Sequence, residues 1–301
     1  MASENTPTAT KAYLLLSFAT MCWGANTVFG KLAVGEMSPM FLVSCRWLGS
    51  LMLMLVFANS HVRRDWGVLS TKLVYAFCLG MMGFTGFNVL FYTAAYETTA
   101  LNIGIIQGSI PVFVLIGTFL LYQTRVAPLQ FVGVLATITG VITVASRGDF
   151  LQLASLAFNH GDLLVVMACS LYGAYTVGLR KRPASVSALG LFTVLAGAAF
   201  IVSLPFSILE YTYGRFYWPT TFGWIIVGLI TFFPSFLAQI FFIQGVEKIG
   251  PNRAGVFINL VPVFGAAFAV IILGESFEYF HAAALTLVLG GIWLSEHGKR
   301  E

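Results

Sequence analysis

The chain reads as an all-α membrane protein with ten transmembrane helices in two inverted five-helix repeats. Three observations predict this: its composition, a stretch that occurs twice, and the distribution of its basic residues. Of 301 residues, 58% are hydrophobic and 9% charged, and the mean hydropathy is +0.87. A soluble protein carries roughly 25% charged residues, so this chain cannot cover a water-facing surface and takes lipid as its solvent. The formal charge of +4 is then no argument for a nucleic-acid partner, because what matters is where the basic residues lie.

The duplicated stretch is Trp23-Gly24-Ala25-Asn26-Thr27-Val28-Phe29-Gly30-Lys31. Its echo is Tyr172-Gly173-Ala174-Tyr175-Thr176-Val177-Gly178-Leu179-Arg180. A second pair aligns Ala100 to Phe113 with Pro251 to Phe264, placing Gly104 on Gly255 and Pro111-Val112-Phe113 on Pro262-Val263-Phe264. Both spacings are about half the chain, the sign of a duplicated unit.

Crossing the hydrocarbon takes about 20 apolar residues per helix. Residues 1–11 are polar and form a first tail. The run from Ala12 to Val34 exceeds the roughly 7–15 residues of a signal-peptide core, so it stays as a membrane helix near 12–33. Further spans fall at 39–58, 72–96, 99–122 and 127–146, and the first repeat covers 12–147. The polar stretch 148–159 is the linker between halves. The second repeat, 160–296, holds spans near 160–180, 186–209, 218–243, 250–273 and 277–295, and 297–301 is a second tail. Breaks follow charge and Gly or Pro, and the short links at Glu97-Thr98 and Glu247-Lys248 force antiparallel neighbours.

Basic residues set the orientation. With both termini inside, the inner loops receive Lys11, Arg63, Arg64, Lys72, Arg125, Arg180, Lys181, Arg182, Lys248, Arg253, Lys299 and Arg300, against Lys31, Arg147 and Arg215 outside. Five helices per half is an odd number, so the second half enters from the opposite side. Inverted repeats of this kind are a transporter architecture with the substrate near the midplane. The expected location is a bacterial-type inner (plasma) membrane, multi-pass, with both termini cytoplasmic.

The W-G-x-N-x-x-x-x-K pattern at Trp23–Lys31, with Phe41, Arg46, the mid-helix Pro111 and Pro262, and Gly274-Glu275, resembles the drug/metabolite transporter superfamily in its ten-helix EamA branch. The resemblance extends over nearly the whole chain. It implies a bundle with a central cavity, the fifth and tenth helices at the periphery, and a carrier similar to exporters of amino acids and other small metabolites. More distant relatives exchange sugar phosphates or nucleotide sugars. One departure stands out: Gln123-Thr124-Arg125 occupies the place of Gly274-Glu275-Ser276, so the first repeat lacks that acidic end.

Ionisable groups at membrane depth are costly and point to function. No Asp or Glu falls mid-helix in these spans, which argues against a proton-coupled exporter of cations. The single mid-membrane charge is Arg46. Its fork suits a carboxylate or phosphate, and the alternative is a structural Arg bonded to a neighbouring helix. Lys31 ends its helix and is a gating candidate, though snorkelling explains it too. Asn26, Gln107 and Asn259 supply amides, and Trp23, Tyr92, Tyr172 and Tyr175 supply aromatic walls, as substrate-binding candidates; each amide could instead join helices. Pro111 and Pro262 each remove a backbone hydrogen bond and are candidate hinges. Cys22, Cys45, Cys78 and Cys169 read as small buried hydrophobes, and the four His lack metal-ligand spacing. No enzyme motif, metal site or cofactor site is expected.

The expected function is secondary transport of small metabolites, amino acids foremost, out of the cell by alternating access. The alternatives are an exchanger of organic or phosphorylated anions, or a non-transporting scaffold or sensor. The expected partners are a small-molecule substrate and the lipid bilayer, with no nucleic acid, and a homodimer is compatible with the reading.

Overall fold

A computed structural model describes residues 6–124, 126–149 and 159–297. Most of the expected linker, both chain ends and Arg125 lie outside the described residues. The described chain is ten antiparallel helical rods: α1 (Thr6–Leu32), α2 (Pro39–Phe57), α3 (Asn59–Ala94), α4 (Ala100–Tyr122), α5 (Pro128–Ala145), α6 (His160–Lys181), α7 (Ala188–Thr212), α8 (Thr221–Ile249), α9 (Arg253–Leu273) and α10 (Tyr279–His297). Among the described residues, α1 to α9 are long and apolar enough to cross a membrane. Helix α10 is slightly more polar but equals α2 in length, at 19 residues.

Helix starts are fixed by side-chain caps. Thr99 accepts from Asn102 N at 3.0 Å, Ser187 from Gly190 N at 3.1 Å, and Thr220 from Gly223 N at 3.0 Å. Helix α4 ends on Gln123 at φ 52° and α9 on Gly274 at φ 67°, the same left-handed stop at equivalent places in the two repeats. The third span differs from expectation, because its helix begins at Asn59 instead of near residue 72. The added segment carries Asp65, whose carboxylate accepts from Ser187 N at 2.8 Å and Ser187 Oγ at 2.5 Å. That anchorage to the start of α7 gives residues 59–69 a reason to be helical.

The repeats are visible as paired contacts across the two halves. A Cβ on Gly24 of α1 would lie 2.6 Å from Phe264 Cβ of α9, and one on Gly173 of α6 would lie 2.6 Å from Phe113 Cβ of α4. Gly24 and Gly173 are equivalent, as are Phe264 and Phe113, so each half inserts its glycine against the other half's phenylalanine. Only a glycine permits that approach. Helices α3 and α8 each widen into a π-helical turn, at Met81–Gly86 and Thr231–Leu237. Such turns leave carbonyls short of partners and recur at functional sites. Peripheral α5 and α10 pack on each other, with Gly133 against the Gly291 carbonyl.

Candidate functional site: a central cavity around Arg46

A cavity of about 100 Å³ lies where α1, α2, α3, α4, α6, α8, α9 and α10 converge. The two candidate hinges frame it. A proline cannot donate to the carbonyl four residues earlier, and the rods are interrupted on that side: α4 at Gly108 and Ser109, α9 at Asn259. Pro111 and Pro262 line the cavity together with Gln107, Ile258 and Asn259.

Arg46 is 6% exposed and belongs to the cavity wall. Its Nη1 donates to Asn88 Oδ1 at 2.7 Å, to the Tyr92 hydroxyl at 2.5 Å and to Asn26 Oδ1 at 3.3 Å. Tyr92 in turn donates to Asn26 Oδ1 at 3.0 Å, and Asn88 Nδ2 to the Phe84 carbonyl at 2.5 Å. Two faces of aromatic rings attend the guanidinium, Trp47 at 5.2 Å and Tyr92 at 5.8 Å. Every partner is neutral: among the described residues, no carboxylate lies within 4.0 Å of Arg46. The Nε of Arg46 and the Nε1 of Trp47 are both buried donors without an acceptor. An unmatched buried donor costs about 1–3 kcal/mol, more when charged. The wall is thus electropositive around Arg46.

One end of the bundle is tied shut. Here the loops 33–38, 95–99, 213–220 and 274–278 meet, at what is called the far face because the start of α1 and the end of α10 lie at the other. Lys31 Nζ donates to the carbonyls of Ala95 at 2.9 Å and Thr98 at 2.8 Å. Glu275 accepts from the first amides of α4, Ala100 N at 2.9 Å and Leu101 N at 2.8 Å. Thr98 Oγ1 donates to Asp162 at 2.5 Å, and Asn102 Nδ2 reaches the same carboxylate at 3.2 Å. Tyr96 donates to the Met37 carbonyl at 3.1 Å and meets the Tyr217 hydroxyl at 2.5 Å; burial, with that hydroxyl beside it, pushes its phenol pKa up.

The equivalent segment at the terminal face is loose. In Ala100–Gln107 every residue but Gln107 is buried. In its counterpart Pro251–Ile258, Val256 is 51% exposed and Ile258 37%, and a Cβ on Gly255 would meet nothing within 4 Å. A Cβ on the equivalent Gly104 would lie 3.3 Å from the backbone of Gly265 and Ala266. One repeat element therefore appears in two packing states within one molecule.

The model of the EamA-like transporter family matches residues 10–146 and again residues 159–296. The chain belongs to the EamA-like transporter family. Similar curated proteins are named only as uncharacterized transporters. YetK of Bacillus subtilis (strain 168) is 28% identical over 296 residues, covering 96% of this chain and 88% of its own. YyaM of the same organism is 24% identical, covering 93% and 92%, and a protein of Archaeoglobus fulgidus is 25% identical, covering 95% and 97%. A solved crystal structure with 16% identity matches with a TM-score of 0.65 over 97% of this chain and 99% of that one, a likeness of fold. This EamA-like protein is a multi-pass membrane transporter.

Of the residues singled out from sequence, Trp23, Asn26, Arg46, Gln107, Tyr172, Asn259, Pro111 and Pro262 line the EamA-like transporter's cavity. Tyr92 stands behind the wall as an Arg46 partner. Tyr175 is not on the wall; its ring packs against Phe84 and Tyr172 and lies over Gly83. Lys31 sits at the far-face ties, away from the cavity. Sequence reading missed Trp47 and Phe84, stacked at 4.5 Å, and Phe87; in a chain with 28 Phe, nothing local marks them. Asp162, in the first turn of α6, is 2% exposed and joined through Asn102 to His281.

Proposed function

We propose that this transporter carries small metabolites bearing an anionic group by alternating access, with Arg46 holding the anion. The observation that carries the reading is the buried guanidinium of Arg46 on the cavity wall, with no carboxylate within 4.0 Å of it among the described residues and with its Nε left without an acceptor. A buried charge left unpaired is strongly unfavourable, and an incoming carboxylate or phosphate relieves it with charge-assisted bonds. Amino acids enter this class through their carboxylate, as do organic and phosphorylated anions. Helices α4 and α9 bend at the breaks before Pro111 and Pro262, and the repeats 12–147 and 160–296 rock about the site. The basic loops favour both termini inside a bacterial-type plasma membrane, which makes the tied far face external and the structure inward-facing. Export follows from the resemblance to metabolite exporters.

The test is uptake of labelled amino acids, organic acids and phosphorylated metabolites into proteoliposomes, for wild type, Arg46→Lys and Arg46→Ala. Substrates moved by wild type are expected to carry a carboxylate or phosphate, with Arg46→Ala inactive though folded. Transport confined to uncharged or cationic substrates, or an unaffected Arg46→Ala, refutes the assignment.

A further inference from the structure

The acceptors around Arg46 narrow the substrate further. Among the described residues, none that lines the cavity is acidic. The two amide oxygens nearest the guanidinium, Asn26 Oδ1 and Asn88 Oδ1, already accept from its Nη1. The Tyr92 hydroxyl spends its oxygen on Arg46 and its proton on Asn26. The Pro234 carbonyl, exposed by the π turn of α8, is taken by Trp23 Nε1 at 3.1 Å. Carboxylates elsewhere are committed: Glu275 and Glu210 hold the first amides of α4 and α2, Asp162 holds Thr98 and Asn102, and Glu296 accepts from Asn259 Nδ2 at 3.2 Å.

An α-amino acid docked by its carboxylate on Arg46 carries its ammonium one carbon away. That ammonium would sit beside a guanidinium, in a low-dielectric wall. Like charges so placed repel strongly. Apart from the amides of Gln107, Gln239 and Asn259, the rest of the wall is mostly apolar or aromatic, with Trp23, Trp47, Phe84, Phe87, Tyr172 and Ile110.

We infer that the preferred ligand is an organic monoanion without a cationic amine, a carboxylate joined to an apolar or aromatic body. This rests on the Arg46 anion reading and selects within it. The Arg46 guanidinium takes the carboxylate, and the aromatic wall takes the body.

Three probes share a phenylethyl body and differ in the charged groups on it: 3-phenylpropanoate carries the carboxylate alone, phenylalanine both carboxylate and ammonium, and phenethylamine the ammonium alone. Their binding to the full chain in nanodiscs is measured by calorimetry at neutral pH, for wild type, Arg46→Ala and Arg46→Lys. The expected result is that 3-phenylpropanoate binds at least about tenfold tighter than phenylalanine, since like-charge juxtaposition costs several kcal/mol, and that phenethylamine does not bind. Arg46→Ala is expected to abolish binding and Arg46→Lys, which keeps the charge, to recover part of it. Equal or tighter binding of phenylalanine, lost on Arg46→Ala, overturns this inference and leaves the anion reading standing. Binding of 3-phenylpropanoate unchanged in both variants overturns the anion reading and this inference with it. No measurable binding of 3-phenylpropanoate to wild type also overturns the inference.

Discussion

Glu275→Gln should shift this transporter from the state described here toward the opposite one. The carboxylate holds two amides at the start of α4, at 2.9 and 2.8 Å. Hydrogen bonds to a charged group are worth about 1.5–3 kcal/mol and neutral ones about 0.5–1.5, and an anion at a helix N-terminus adds about 0.3–1. The glutamine keeps the shape but has one acceptor oxygen and no charge. Allowing for the partial exposure of Glu275, the loss is about 2 kcal/mol, a shift of about thirtyfold in the equilibrium. The assay follows maleimide labelling of two cysteines placed singly in a cysteine-free background, in detergent so that both faces are reached. Val256→Cys, 51% exposed, should label more slowly when Glu275→Gln is added. Leu101→Cys, 1% exposed, should label faster. The logic rests on equivalence: Ile105, the counterpart of Val256, is fully buried in the closed half. If both rates rise together, the substitution has merely loosened the protein, and the reasoning about two packing states is wrong.

Three further outcomes follow from local geometry. Gly24→Ala should destabilise by about 1–3 kcal/mol through overpacking, since its Cβ would lie 2.6 Å from Phe264 Cβ and 2.9 Å from Gly265 N; a lowered melting temperature checks this. Gly255→Ala should leave melting nearly unchanged, because nothing stands within 4 Å, yet slow transport, as the opposite state needs that space. Gln123→Gly should stabilise by about 1 kcal/mol, since a left-handed residue other than glycine costs roughly that much and Gln123 sits at φ 52°; an unchanged or lower melting temperature would count against it.

Much of the fold was legible because lipid leaves few options. Apolar runs of spanning length give helices, basic loops give alternation, and the Trp23–Lys31 echo gives the duplication. Equivalence between repeats also pointed to real contacts: Gly24 and Gly173 face Phe264 and Phe113, members of the other aligned pair. Arg46 stood out because a lone charge in an apolar run is conspicuous. What stayed hidden depends on which helix lies opposite. Trp47 and Phe84 form a parallel stack across α2 and α3, and no spacing within either helix encodes it. Tyr175 shares the place of Asn26 in the repeat, yet faces Gly83 because the two halves have diverged in what they enclose. The π turns were equally silent, since Met81–Gly86 and Thr231–Leu237 share no obvious residue pattern.

Divergence between the repeats also explains why one face is closed. A perfectly symmetric duplication would have equal ties at both ends and no preferred state. Lys31 reaches two carbonyls, while its counterpart Arg180 stands over the Tyr122 ring at 5.3 Å. Glu275, just after α9, caps α4, whereas its equivalent just after α4 is Thr124, which brings no negative charge. Asp162 opens α6 and holds Thr98, while the first turns of α1 place Tyr13 against Phe257 at 5.6 Å, an aromatic contact without charge. The far face therefore carries more charge-assisted bonds than the terminal face, where the Asp65–Ser187 pair stands beside weaker contacts, a difference that favours the state seen. A ligand that drives the cycle must offset that difference by binding the opposite state more tightly. The unsatisfied donors of Arg46 and Trp47 are a source of such binding energy, and it drives the cycle only to the extent that the opposite state lets a ligand satisfy them better.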